Sequence, residues 1–278
     1  VSRACRYMGI SRQAHYQWQR RRACDEARHE RIVGLVKEKR LRQPRLGTRK
    51  LHHLIRPALM AEGLGIGRDA LFDLLRGNRL LVRPRRAYHK TTDSHHRFRR
   101  HPNLLKAGPE QVQAEASEQV WVADITYLPT RERCAYLSLV TDAYSRKIVG
   151  YHVHDSLHTA EVSQALKMAL KGRQGQQPLV HHSDRGIQYC AHEYQAIHQK
   201  HGLICSMTDG YDCYQNALAE RVNGILKHEF LLQLPDDLNQ ARHMVRQSIA
   251  IYNTERPHCS LQLKTPDEVH RASLQANR

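Results

Sequence analysis

The sequence predicts an α/β domain preceded by a small, basic, all-helical region, and three observations lead there. Apolar residues recur with a helical period up to about residue 82 and with a strand period from about residue 119. Beyond that point strands and helices follow in the order β-β-β-α-β-α-β-α, which three antiparallel strands feeding parallel ones would satisfy, with helices on both faces. Charge divides at nearly the same place. Residues 1–106 hold 27 Lys and Arg against 8 Asp and Glu, whereas the remaining 172 hold 17 against 19. A chain of 278 residues with net charge +17 and 40% hydrophobic residues has enough apolar material for a core and calls for a polyanionic partner, most simply nucleic acid.

At the N-terminus, Gly9 breaks the pattern and Ser11 is placed to cap a basic helix carrying Tyr16 and Trp18. A second helical pattern runs from about Asp25 to Arg42 and stops before Pro44. A third, from about Thr48 to Ala61, turns Leu51, Leu54, Ile55 and Leu59 inward, and a fourth, after "GIGRD", turns Ala70, Leu71, Leu74 and Leu75 inward. Short Arg-rich helices separated by glycines resemble a small DNA-binding unit. Residues 83–106, "RPRRAYHKTTDSHHRFRRHPNLLK", lack periodicity and contain a single acid, which suits a linker tracking a phosphate backbone through Arg83, Arg85, Arg86, Arg97, Arg99 and Arg100. His95 and His96 have no matching Cys pair at zinc-ligand spacing.

The strand-like runs are "QVWVADITYLPT", "CAYLSLVTDAY" and "RKIVGYHVHD". A helix at 159–171, a strand "PLVHHSD", a helix from about Ala191 to His201, a strand "LICSM" and a helix within "DGYDCYQNALAERVNGILKHEF" complete the order. These expectations divide the chain into N-terminal basic helices (1–45), a helix-turn-helix-like region (46–82), a basic linker (83–117), an α/β core (118–232) and a C-terminal helix and tail packing on that core (233–278). Seven scattered cysteines without a C-x-x-C pair argue against a disulfide framework, and no apolar run is long enough to span a bilayer. A reducing cytoplasm without membrane contact is the expectation.

Three acids stand out. Alternation puts Asp124 on the same strand face as Val122 and Thr126, an expensive place for a charge without a partner. Asp184 ends a strand and should emerge at its carboxyl edge, where open α/β sheets build sites; an Asp-capped turn is the plainer alternative. In the last helix Asn216, Glu220, Asn223 and Lys227 form one polar stripe beside an apolar flank of Leu218, Val222, Ile225 and Leu226. Two strand-end aspartates and a helical glutamate suit magnesium, a hard ion that needs few protein carboxylates and leaves positions for phosphate oxygens. Paired ions would activate a hydroxyl and stabilise the leaving oxygen of an in-line phosphoryl displacement, with Lys227 holding a phosphate as a point charge.

The words "WVADITYL", "HHSDRGIQY" and "YDCYQNALAERVNGILKHEF", with 35 residues between Asp184 and Glu220, a Lys seven after the Glu, and a C-terminal "YNTERPHCSLQLKTPDEV", resemble the orfB-type transposases of the IS-three family of insertion sequences, relatives of retroviral integrases. That resemblance implies an RNase H-like integrase catalytic core with a mixed five-stranded sheet, and a DDE triad of Asp124, Asp184 and Glu220 binding two Mg²⁺ or Mn²⁺ ions. It also implies strand cleavage and strand transfer at terminal inverted repeats, oligomerisation on double-stranded DNA, and an upstream orfA-type partner. His182 and Asn216 match beside the acids as site-supporting residues. Tyr252, Asn253, Arg256, Pro257 and His258 match a signature for which packing onto the core is the favoured role. The competing readings are an RNase H-like nuclease or resolvase that cuts without joining, and a DNA-binding regulator of transposition.

Overall fold

The structure, a computed structural model, describes residues 1–83, 101–109, 111–209 and 216–276. It divides into two units, residues 1–84 and 85–278.

The first unit is helical. Helix α1 (Ser2–Tyr7) ends before Gly9, whose φ of +67° reverses the chain at little cost because glycine has no Cβ. Ser11 then caps α2 (Arg12–Arg42), its hydroxyl accepting from the Ala14 amide at 3.0 Å. The sequence suggests two helices between 11 and 42; the structure has one of 31 residues. Charged and polar residues through positions 20–30 are good helix formers and contain neither Gly nor Pro, so nothing breaks the segment. Only its second half is buried: Ile32, Leu35 and Val36 meet Leu51, Ile55 and Leu59 of α3 (Thr48–Ala61) and Leu71 and Leu75 of α4 (Arg68–Gly77). This core spans position 45, so the N-terminal helices and the following region share one hydrophobic centre rather than forming two. Pro57 lies on the exposed side of α3, where the carbonyl it leaves unbonded can meet water.

In the second unit, β1 (Val120–Pro129), β2 (Cys134–Asp142) and β3 (Ile148–His154) form an antiparallel meander, and β4 (Val180–Ser183) and β5 (Ile204–Met207) pair parallel beside β1, giving the order β3-β2-β1-β4-β5. Two cores lie on opposite faces. On one, Trp121, Ala123 and Val140 pack against Val162, Ala165, Leu166 and Ala169 of α5 (Thr159–Gly172), Tyr189 of the short α6 (Ile187–Cys190) and Tyr194 of α7 (His192–His201). Gly150 is required here, because a Cβ at this position would lie 2.1 Å from the Ala165 carbonyl oxygen. On the other face, Leu128, Leu137, Leu139 and Val153 meet Val222 and Ile225 of α8 (Ala217–Ile225) and Ala241, Val245, Ile249 and Tyr252 of α9 (Leu238–Thr254). The α8 and α9 side chains share one cluster, so the C-terminal helix is part of this core.

The basic linker drawn from 83 to 117 ends earlier than expected. Pro102 O accepts from the Met207 amide at 3.1 Å and the Leu104 amide donates to Ser206 Oγ at 3.0 Å, so residues from 101 onward dock beside β5. Of the linker arginines, Arg83 is described, its carbonyl accepting from the Arg45 guanidinium. Arg85, Arg86, Arg97, Arg99 and Arg100 lie outside the described residues.

Candidate active site

The sheet face that carries α8 also carries Asp124. Strand alternation sends Trp121, Ala123 and Ile125 towards α5, leaving Val122, Asp124 and Thr126 facing the other helix pair. The Asp124 Oδ2 accepts from Asn223 Nδ2 at 2.8 Å, and Lys227 Nζ donates to Thr126 Oγ1 at 2.9 Å. The polar stripe of the last helix therefore lies over the polar face of β1.

Asp184 follows β4 directly, and the parallel pairing of Val122 with His182 brings it level with Asp124 on the neighbouring strand. Its Oδ1 accepts from the Gly186 amide at 3.0 Å. The Asp-capped turn is thus real, and a Cβ on Gly186 would come within 3.0 Å of the same oxygen. The turn and the site are not alternatives: one carboxylate oxygen shapes the turn while the group's charge acts on its neighbours. Burial, then Asp184, then more weakly Glu220 push the Asp124 carboxyl up to about 7, against hydrogen bonds from Asn223 and the Ile125 amide that pull it down. Glu220, exposed in the first turn of α8, is also raised, by burial of its carboxyl and by Asp184. The three acids are therefore within mutual electrostatic reach. Among the described residues, no group of three His, Cys, Asp or Glu stands close enough to hold a metal ion as it is.

The donor set nonetheless suits an oxygen-seeking divalent cation. The acids offer hard ligands whose repulsion a cation would relieve. Among the described residues the amide oxygens of Asn216 and Asn223, both buried, have no hydrogen-bond partner, and buried polar atoms of this kind ordinarily have one. Burial lowers the Lys227 ammonium, while the nearby Asp124 charge works in the opposite direction.

The supporting residues differ in what they do. Asn216 Nδ2 donates to Ala123 O at 3.0 Å, fastening the start of α8 to β1 one residue before Asp124. His182 is fully buried and its Nδ1 pairs with Ser206 Oγ at 2.8 Å, which ties β4 to β5. Thr126 and Asn223 were visible in the sequence as a face-mate of Asp124 and a member of the helical stripe; their direct contacts to Lys227 and Asp124 needed the fold. The helix also departs from the α register assumed through Phe230. It becomes π-helical over Leu226–Phe230, with the Leu231 amide donating to Leu226 O at 2.9 Å.

The C-terminal signature packs inward. Tyr252, Arg256, Pro257 and His258 are buried. Tyr252 donates its hydroxyl to Arg146 O at 3.0 Å, and Asn253 binds both the amide and the carbonyl of Ile148, each at 3.0 Å, as a strand neighbour would. Arg256 grips Glu229 with two bonds of 2.8 and 2.7 Å.

A five-stranded mixed sheet with a carboxylate-bearing face under a polar helix is the arrangement of an integrase core, and a family profile described as integrase core domain matches residues 114–213, with a second of the same description matching 201–266. The insertion element IS600 uncharacterized 31 kDa protein of Shigella sonnei is 35% identical over 261 residues, covering 92% of this chain and 93% of that protein. The transposase InsF for insertion sequence IS3A of Escherichia coli (strain K12) is 31% identical, covering 82% of this chain and 78% of that protein. The HTLV-2 integrase catalytic core domain in complex with magnesium shares 20% identity at a TM-score of 0.47, over 57% of this chain and 99% of that one. This chain belongs to the IS3 family of insertion-sequence transposases, DDE-type polynucleotidyl transferases.

Proposed function

We propose that this transposase cuts and joins DNA strands at the terminal inverted repeats of its element, with Asp124, Asp184 and Glu220 as the catalytic carboxylates. The observation that carries the reading is the raised Asp124 carboxyl. A half-buried acid pushed up by two other acids, in a site whose buried amide oxygens have no partner among the described residues, is costly unless a cation completes it. Asp124, Asp184 and Glu220 would hold Mg²⁺ or Mn²⁺, two ions in this reading. Such ions, when bound, activate the attacking hydroxyl and offset charge on the leaving oxygen.

The chain's own residues prepare the rest. Asn223 orients Asp124 through its Oδ2, and Asn216 holds α8 at the height of that carboxylate. Lys227 exchanges its bond to Thr126 for a DNA phosphate, a step assisted by its partial burial, which leaves the ammonium poorly solvated. Water serves as nucleophile for cleavage and the freed 3′-hydroxyl for joining. The helical unit with Arg83, and Arg85, Arg86, Arg97, Arg99 and Arg100 beyond it, grips DNA through phosphates. Oligomers assemble on the DNA, and an upstream orfA-type product takes part.

The test is cleavage of a labelled duplex carrying the element's end by Asp184→Asn. Cleavage should vanish while DNA affinity stays within about threefold of wild type, because the carboxylate acts on the reacting phosphate and not on the grip. Unchanged cleavage would remove Asp184 from the chemistry. Neutralising the linker arginines should weaken binding and flatten its salt dependence, whereas an unaltered slope would move the phosphate grip elsewhere.

A further inference from the structure

The π-helical turn after α8 is held by two of its side chains. Lys227 reaches Thr126 on β1, two residues from Asp124. Glu229, two positions further on, meets Arg256. The turn is widened by one residue relative to an α-helix, an arrangement that needs outside support because its internal hydrogen bonding is less favourable.

Arg256 supplies that support in a specific form. It is 1% exposed and gives Glu229 two parallel hydrogen bonds, fixing the carboxylate's distance and plane together. A third guanidinium nitrogen lies 3.1 Å from His258 Nε2, and the group sits 5.9 Å from the centre of the Tyr252 ring. Tyr252 and Asn253 are fastened in turn to the β3 end through Arg146 O and the Ile148 backbone. The C-terminal segment is thus a rigid strut between the edge strand and the turn that bears Lys227. A buried ion pair adds little net stability compared with an apolar pair of the same size. What a two-pronged pair adds is geometry: it sets the register of the turn.

We propose that Arg256 is a positioning residue of the active site, clamping Glu229 so that the π turn presents Lys227 to Thr126 beside Asp124. The proposal rests on the reading of Lys227 as a phosphate holder for the chemical step. Arg256→Lys keeps the charge and removes the fork.

Two measurements on the full chain test it. In hydrogen exchange, amides 226–231 of Arg256→Lys should lose protection by about tenfold while those of β1 to β5 keep it. Unchanged protection at 226–231 overturns the clamp. In single-turnover cleavage, Arg256→Lys should slow the reaction about tenfold, and combining it with Lys227→Ala should cost no more than Lys227→Ala alone. Losses that multiply would make Arg256 a merely structural residue. Should Arg256→Lys lose protection everywhere, Glu229→Gln, which keeps the shape and one acceptor oxygen, takes its place in both measurements; global loss there too overturns the proposal. If the wild type does not cleave, the reading of function fails, and the exchange result still decides the clamp.

Discussion

Two acidic clusters sit along β1 and β2, and they are opposites. At the end of β2, opposite the start of β1, Asp142 is fully buried. One of its oxygens accepts from the Ser145 amide and hydroxyl at 2.8 and 2.6 Å, and the other from the Glu118 amide at 2.7 Å. Glu118 beside it accepts from the Gln174 amide at 3.0 Å, and His270 of α10 (Pro266–Ala276) stands 3.6 Å from one Glu118 oxygen. Burial alone would raise both acids, but the nearby His270 and hydrogen bonds from Ser145 and the backbone outweigh it and hold them below the ordinary range. Further along β1, Asp124 has one side-chain amide as partner and two acids as neighbours, and it is raised. The same strands therefore carry one saturated cluster and one that is short of positive charge. The saturated cluster fastens the C-terminal helix to the sheet. The unsaturated one is fit to receive a cation.

The largest effect expected from this contrast is on stability. Asp142→Ala should lower the unfolding free energy by about 3–5 kcal/mol, because it strips a buried network and strands His270 and Glu118. Asp124→Asn, without divalent ions at pH 8, should raise it. Its carboxyl lies about three pH units above an ordinary one, and a discount for partial solvent exposure leaves about 1–3 kcal/mol. Chemical denaturation of both variants checks this, and shifts of the same sign would erase the distinction between the clusters.

A somewhat smaller effect separates them by pH. For Asp124, whose folded value is raised, the stabilising contribution is complete below about pH 4 and is lost as pH rises through about 7. For Asp142 and Glu118, held low, the contribution is present above about pH 4 and is lost as pH falls through their folded values. The melting advantage of Asp124→Asn over wild type should therefore grow from pH 5 to pH 8, while the deficit of Asp142→Ala should shrink on acidification. Calorimetry from about pH 3 to about pH 8 measures both, because the Asp142→Ala deficit changes only below about pH 4, and parallel curves would contradict the assignment. The smallest effect concerns Asn223→Ala, which removes the side-chain amide that donates to Asp124 Oδ2. Its cleavage rate should fall by about tenfold and its pH–rate midpoint should move upward. An unmoved midpoint would mean that Asn223 does not govern Asp124.

Much of this was legible in the sequence, for identifiable reasons. Alternation along "VWVADITY" placed Asp124 on the face opposite Trp121, and the helical stripe placed Asn223 and Lys227 together, because both periods survive folding intact. The mixed sheet of three antiparallel strands feeding parallel ones followed from the element order, while the placement of β4 and β5 beside β1 came from the structure. What was not legible depends on distant pairings. Nothing local in "LKHEF" signals a π turn, since the register is set by Arg256, 27 residues beyond Glu229. The joining of two expected helices into α2 was missed because charge composition changes near residue 25 without any residue that stops a helix. The early end of the linker was missed because its docking uses backbone atoms of Pro102 and Leu104, whose side chains carry no pattern.

The central claim is that the unsaturated acids on the α8 face are the catalytic group. It is tested most directly by a strand-transfer assay on a labelled duplex bearing the element's ends, with Mg²⁺ or Mn²⁺, comparing wild type with Glu220→Gln. Metal-dependent joined product from wild type, and loss of at least about a thousandfold in the variant that still binds DNA, is the predicted result. Equal joining by both would contradict the account.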